Sequence, residues 1–589
     1  MKTNTGLGRK LRYGGITVAM TAVIIVAVIL VNAITYALVQ KYAQYPDLTP
    51  ELEFTLSESC IKLFEEGDPE FKQSTSPLDQ IDTFRAEKLA AAKAEKLAKD
   101  GVEMSAAEVE LKKAEIKEET MIKIIFCDNE ESWNFGDETD SHDPRKHIWK
   151  TARDLANKFG DYIKIEFVDL YRHPKAVEKY KKTADTKIDS TNVIVACENE
   201  FRMFSLRGFY LFDTADTETP WAYNGEKVFA AAALTVTRAS SPIACFTTGH
   251  NESLAGDAFL STLMTSGFEI QTLDLSKEEI PADCRLLVVS NPRSDFLVPD
   301  GSTTDVDELT KIEDFLNEGK SLMVFMSPDL SEPLYNFEEF LTEWGIVFDR
   351  FKDDAGVYHP YRIRESANHS INSDYATSGE NFLATRVDFG IGSDITDIVK
   401  DKKIIFTEAT SISYFHDPVG YTEEEGGAVL GDYSIFSADG ITRQMFPVFV
   451  SSNEAVAYAA DENRESAANG NEFMLMTVTV QDRFIQEDDN GYFSSDNSSY
   501  VFACGCPDFV TSDNMLSLAY GNSTFLESVL RTVGHEPVPT GLTFRPLGDF
   551  KIDTVTQSAI TWNTVLFTVI PAVLALSCGV VVIVRRKNR

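Results

Sequence analysis

A histidine with an acid two residues further on, at the end of a short apolar run, is the part of this sequence best equipped for chemistry. The stretch is "ACFTTGHNESLAGDAF", Ala244 to Phe259, and it sets Gly249, His250, Asn251 and Glu252 in succession. Three readings compete for it. His250 with Glu252 or Asp257 could move protons, but a hydrolase built on a strand-to-helix turn needs a nucleophile at the elbow, in the pattern G-x-S-x-G. Here the elbow offers Gly249, His250 and Asn251, and Ser253 follows without flanking glycines. In the second reading, backbone N–H groups at the start of the next helix hold an anionic group, with His250 as a further donor. In the third, Gly249 only permits the turn, and Asn251 or Ser253 caps the helix.

The surrounding elements decide what can meet that turn. "PIACFTT", "FEIQTLDL", "CRLLVVSNP" and "SLMVFMSP" read as strands, and "ESLAGDAFLSTLMTSG", "DVDELTKIEDFLNEGK" and "NFEEFLTEWG" as helices between and after them. Such alternation predicts a doubly wound parallel sheet, in a domain spanning about 240–540. Ligands of these sheets lie beyond the carboxyl ends of the strands. Asn291, Arg293 and Asp329 end neighbouring strands, and Asp508 follows the strand in "YVFACGCPDFVTSDN". All four are candidates to line one crevice with His250. Between about 357 and 496 the alternation dissolves into acidic, Gly/Ser/Asn-rich sequence with isolated strands, "KKIIFTEA", "MFPVFVSS" and "EFMLMTVTVQD". This reads as a long insertion, after which "STFLESVLRTVG" closes the domain with a helix.

A first α/β domain precedes it, over about 40–239. Ser57 is placed to cap a helix whose apolar face carries Ile61, Leu63 and Phe64. The segment 84–119 is dominated by Ala, Lys and Glu and broken once at Asp100-Gly101, which predicts a protruding helical hairpin. It is either a partner-binding arm or a solvated insertion. Then come strand "MIKIIFCD", helix "HIWKTARDLANKFG", strand "YIKIEFVDL", paired strands "TNVIVACE" and "FRMFSL", and helix "NGEKVFAAAALTVTRA". That order is thioredoxin-like. Cys127, however, is followed by Asp128-Asn129-Glu130, and the missing C-x-x-C argues against redox chemistry. Cys504-Gly505-Cys506 has no matching pair of ligands nearby, so zinc is not expected. The eight cysteines are too scattered to read as a disulfide framework.

The chain ends locate the whole. Residues 13–39 and 560–584 carry no charge and are long enough to cross a bilayer as helices. A signal peptide is the rival at the first site. Tails 1–12 and 585–589 hold four basic residues each and no acid, which places both termini in the cytoplasm. The net charge of −37 thus becomes −45 for the part between the spans, joined to the second one by a linker over 541–559. Such a surface repels nucleic acid and suits solubility outside the cell.

In order and nearly end to end, these features resemble the GldG-like ABC-transporter auxiliary proteins, a family first associated with gliding motility. The resemblance runs through "DLTPELEFTLSESCIKLF" after the first anchor, "FTTGHNE", "FLNEGKSLMVFMSPD", "VFACGCPDF" and the final apolar span with its basic tail. The hairpin and the acidic insertion depart from that pattern. The resemblance implies a membrane-anchored, non-ATPase accessory subunit of an ABC transporter, with permease and ATPase subunits as partners. The hairpin 84–119 is a candidate to dock an envelope partner. The absence of any G-x-x-x-x-G-K-[ST] loop agrees that the chain is not a P-loop motor. No cofactor or metal is expected, and no catalytic residue. The alternatives are an anchored extracytoplasmic hydrolase using His250 and a structural envelope-assembly protein.

Overall fold

The computed structural model describes most of the chain from 55 to 547, the larger omissions being 69–74, 135–143, 213–218, 300–305, 366–378 and most of 420–432 and 483–497. Outside that range it describes only scattered residues between 26 and 34 and residue 584, so the tails, both apolar spans and most of the linker lie outside the described residues. No helix among the described residues is long and apolar enough to cross a membrane.

Helix α1 (Glu58–Glu66) starts where Ser57 Oγ accepts the Cys60 N–H at 3.1 Å, and it buries Cys60, Leu63 and Phe64. The expected hairpin follows as α2 (Pro77–Asp100) and α3 (Ala106–Glu119). Its first helix begins ahead of residue 84, because Ser76 caps it and Pro77 supplies a preset first turn. Gly101, at φ +66°, closes α2, and Ser105 and Glu108 form a reciprocal cap on α3. Only Pro77, Ile81 and Ile116 of these helices are buried, all at the base. Leu97, Val102 and Leu111 are exposed. The arm therefore stands out from the body, rooted where Arg85 bonds Thr120 Oγ1 at 3.1 Å and the Asp161 carbonyl at 2.8 Å.

The first sheet is built from β1 (Ile122–Phe126), β2 (Ile163–Phe167), β3 (Val193–Cys197) and β4 (Glu200–Phe204), in the order β2-β1-β3-β4. β1 runs parallel to β2 and antiparallel to β3, and β3 and β4 form a hairpin. Helix α4 (Pro144–Lys158) packs on β2. Strands β5 (Tyr210–Phe212) and β6 (Pro220–Tyr223) form a small sheet of their own with Arg545–Pro546. Helix α5 (Gly225–Val236) lies against β3 and β4, and every one of its residues is buried. A helix buried on every face is an interior helix, and α5 has the second unit on its other side.

That second unit hangs on a twelve-stranded sheet. Its parallel half comprises β7 (Ile243–Thr247), β8 (Glu269–Leu273), β9 (Cys284–Ser290), β10 (Ser321–Phe325) and a last strand, Ser498–Cys504. Their spatial order is β8-β7-β9-β10 and then that last strand, all parallel. The other half departs from an all-parallel sheet. Strands β11 (Asn381–Arg386), β12 (Ile404–Thr407), β13 (Ile441–Val450) and β14 (Met474–Asp482) lie within 357–496, the segment read as an insertion with isolated strands. They instead continue the same sheet, antiparallel throughout, in the order β12-β11-β13-β14 and on to β15 (Ser498–Cys504). The physical reason lies in their faces. Seven of the ten residues of β13 and eight of the nine of β14 are buried, so both must have neighbours on both sides. Helices α6 (Asp257–Thr265), α7 (Glu308–Asn317), α8 (Tyr335–Thr342) and α9 (Asn522–Gly534) complete the mixed α/β architecture.

The two units are tied by ion pairs. Arg202 meets Glu269 at 3.2 Å, Arg531 meets Asp68 at 3.0 Å, and Lys227 and Glu527 form a buried pair. Glu226, the residue before Lys227, gathers the two ends of the stretch 55–547. It accepts the Ser57 N–H at 3.1 Å and the Ser57 hydroxyl at 2.6 Å, and it pairs with Arg545. Arg545 also donates to the Thr55 carbonyl at 2.7 Å.

Candidate functional site

The turn after β7 is shaped by two residues in left-handed backbone conformation, Gly249 at φ +118° and Asn251 at φ +54°. Glycine reaches such angles freely and Asn tolerates the αL region. A Cβ on Gly249 would meet only ordinary contacts, so the backbone angle, not space, demands glycine there. Neither Asn251 nor Ser253 caps the next helix, contrary to expectation. Helix α6 starts at Asp257, and its N-cap is Gly256, which has no side chain to bond the first turn. Ser253 instead accepts a bond from Asn291 Nδ2 at 3.1 Å.

His250 is buried and both ring nitrogens are engaged. Nδ1 meets Glu252 Oε1 at 3.2 Å and Nε2 meets Glu308 Oε2 at 3.0 Å. The imidazole lies flat on the Phe296 ring at 3.9 Å, and Phe337 stacks behind Phe296 at 4.4 Å. Burial works against the charged imidazole, but hydrogen bonds to the two carboxylates, and then their charges, outweigh it and push the pKa up to about 9. Burial likewise works against an ionised Glu252, and its bonds from His250 outweigh that to hold its pKa below the usual range. Near neutral pH His250 is thus a cation whose two ring N–H groups both donate to fixed acceptors. It has no lone pair for a general base, and the neighbouring hydroxyl, Ser253, is bonded to Asn291.

Glu308 is the partner that sequence reading missed. It opens α7, 58 positions beyond His250, and its only local signal is that of an acid in a first helical turn. Its Oε2 also accepts the Leu297 N–H at 2.6 Å, while Oε1 is buried with no partner among the described residues.

The remaining candidates divide between two clusters. Asn291, at φ +55°, ends β9 beside the turn, and its Oδ1 has no partner among the described residues. The Arg293 N–H donates to the His250 carbonyl at 2.8 Å. Asp329 and Asp508 belong to a second cluster. Asp329 bonds Arg362 at 2.7 Å, and Arg362 also pairs with Glu380 at 3.1 Å and Glu408 at 3.0 Å. Burial, with the charge of Asp329, raises the Asp508 pKa, and burial raises that of Glu408 against the pull of Arg362. Arg362, Glu380 and Glu408 all come from the segment read as an insertion. Ser327 joins the clusters, since its Oγ accepts from Arg293 at 3.3 Å and from the Asp329 N–H at 3.1 Å.

No cluster of His, Cys, Asp and Glu among the described residues has the geometry to hold a metal ion. Cys506 is buried with its Sγ donating to the Thr407 carbonyl at 2.9 Å, and burial pushes its thiol up to about 12.

No protein-family model matches the sequence, and no curated protein does. Solved structures give faint likenesses. One, an mmIFT52 N-terminal domain, is 13% identical with a TM-score of 0.29, over 49% of this chain and 96% of that one. Another, PurLQS from Thermotoga maritima, is 14% identical with a TM-score of 0.24, over 50% of this chain and 99% of that one. Likenesses at this level carry no argument about fold or function.

Proposed function

We propose that this chain is a membrane-anchored, non-ATPase accessory subunit of an ABC transporter, with a non-catalytic module outside the cytoplasm that binds a ligand or couples to envelope partners. One observation carries the non-catalytic part: His250, the best-placed acid–base group, is clamped between Glu252 and Glu308. The rest is supported by the two uncharged terminal spans, the basic tails, the missing phosphate loop and the ordered resemblance to GldG-like proteins. On this reading the first unit is thioredoxin-like, supported by the order β2-β1-β3-β4 with β3 antiparallel to β1. The parallel half of the large sheet is a doubly wound core, supported by the order in which its strands follow one another, second, first, third, fourth, fifth.

The test is affinity purification of the tagged full chain from detergent-solubilised membranes of its native cell, with every co-purifying protein identified by mass spectrometry. The reading expects a P-loop ATPase and a multi-span permease in stoichiometric amounts. A chain recovered from the soluble fraction, or from membranes without those two subunits, overturns it.

A further inference from the structure

The chain is strongly acidic, yet one exposed stretch runs the other way. Between Tyr171 and Lys181 the basic residues Arg172, Lys175, Lys179 and Lys181 accompany a single acid, Glu178, and all of them are exposed. Lys175, Lys179 and Lys181 form no ion pair with any described residue. Arg172 pairs with Asp169 at 3.3 Å but keeps 81% of its side chain in solvent. The stretch is held in shape from beneath. Asp169 Oδ1 accepts the N–H groups of Tyr171 at 3.0 Å and Arg172 at 3.2 Å, and the short helix Pro174–Tyr180 buries Val177 and Tyr180. Tyr171, at the head of the turn, is wholly exposed. The nearby acids Glu130 and Glu131 do not cancel these charges. Their helix packs Trp133 on Phe126, whereas Val177 and Tyr180 pack with Ile125 and Cys127, on the opposite face of the sheet.

The place of this stretch in the fold selects its partner. Trp149 of α4 meets Phe126 at 5.7 Å and Phe167 at 5.3 Å, so α4 begins at the carboxyl ends of β1 and β2. Beside that start, the Tyr223 hydroxyl donates to the His147 carbonyl at 3.1 Å, and Tyr223 pairs with Arg545 across the small sheet. The stretch after β2 and the chain leading to the second apolar span therefore leave the first unit at one end. The link from Leu547 to Ile560 reaches at most about 45 Å. Distant acids on the body are screened, since charges in solution act over roughly 8 Å at physiological ionic strength. Tyrosine favours the headgroup layer, and each Lys or Arg near an anionic surface strengthens a contact about fivefold. We propose that residues 171–181 dock on the membrane that anchors the chain, with Tyr171 in the headgroup layer and the four basic side chains against the phosphates of anionic lipid. This rests on the anchored reading given above.

The cysteines among the described residues are all buried, so in a Cys578→Ser background a thiol-reactive fluorophore on Tyr171→Cys reports that position. The full chain is reconstituted in bilayer discs of phosphatidylcholine, with or without phosphatidylglycerol, that carry a spin-label quencher on the headgroups. Quenching at Tyr171→Cys should be several-fold stronger with phosphatidylglycerol than without it. It should also be several-fold stronger than at Leu111→Cys, an exposed position on the arm. Lys179→Glu combined with Lys181→Glu should return it to the phosphatidylcholine level, and melting curves establish that this variant folds. Equal quenching in the two kinds of disc, or at the two positions, overturns the contact and leaves the anchored reading intact. A chain recovered outside the discs overturns the anchored reading and this contact with it.

Discussion

Glu308 holds His250 from 58 positions away, with its Oε2 3.0 Å from the imidazole Nε2, and so ties the turn after β7 to the first turn of α7. The contact has a pH signature. The His250 pKa is raised from 6.5 to about 9, so the stabilisation is complete below about 6.5 and is lost as the pH rises through 9. A shift of that size corresponds to about 3 kcal/mol. Denaturant unfolding of the full chain between pH 6 and 10 should therefore show a stability loss of that order, and His250→Gln should abolish most of the slope. A wild-type curve that stays flat over this window contradicts the clamp.

Arg362 is the positive centre of four carboxylates, Asp329, Glu380, Glu408 and Asp508. Replacing it with Met leaves partly buried acids facing one another, and the expected cost at pH 7 is about 2–3 kcal/mol. The folded-state pKa values of Glu408 and Asp508 are already raised and should rise further without the guanidinium. A group with a raised folded pKa gains stability as it protonates, so Arg362→Met should recover part of its loss at pH 5. Thermal melts at the two pH values measure this, and a deficit that grows on acidification contradicts it.

The arm makes a separable prediction. Its buried residues are confined to the base, and the ion pair between Lys96 and Glu108 bridges its two helices out in solvent. Exposed pairs of this kind contribute little to stability. Replacing 90–112 with a short Gly/Ser turn should leave the melting temperature of the body within a few degrees. If the arm docks a partner, the same variant should lose that partner in co-purification. Recovery of an unchanged complex makes the arm a solvated extension.

Glu226 is expected to be costly to remove, because Ser57 and Arg545 lose their shared acceptor together. Glu226→Ala should destabilise the chain by about 1.5–3 kcal/mol, the range for a hydrogen bond to a charged group. It should also hasten limited proteolysis next to Arg545 before the body unfolds. Cleavage there at the wild-type rate would show that the clasp does not secure that end.

Much of the architecture was legible because strand and helix periods differ, and β1 to β4 and β7 to β10 announce themselves as short apolar runs between amphipathic segments. What defeated sequence reading was partnership over distance. Nothing local links His250 to Glu308. Similarly, β12 to β14 are far apart in sequence, so each reads as an isolated strand although β13 and β14 are interior to the sheet, and β11 gives no local strand signal at all. The cap of α6 departs from the third reading of the turn for a different reason. Asn251 and Ser253 are good capping types, but the αL backbone of Asn251 and the bond from Asn291 to Ser253 commit both residues to the turn.

The meeting of Ser57 and Arg545 on one carboxylate has a mechanical meaning. A pull applied between the two ends of the body passes through the Glu226 clasp and need not run through either sheet, so both cores stay unloaded while the clasp lasts. The clasp sits at the start of α5, one residue from the buried Lys227–Glu527 pair that joins the two units.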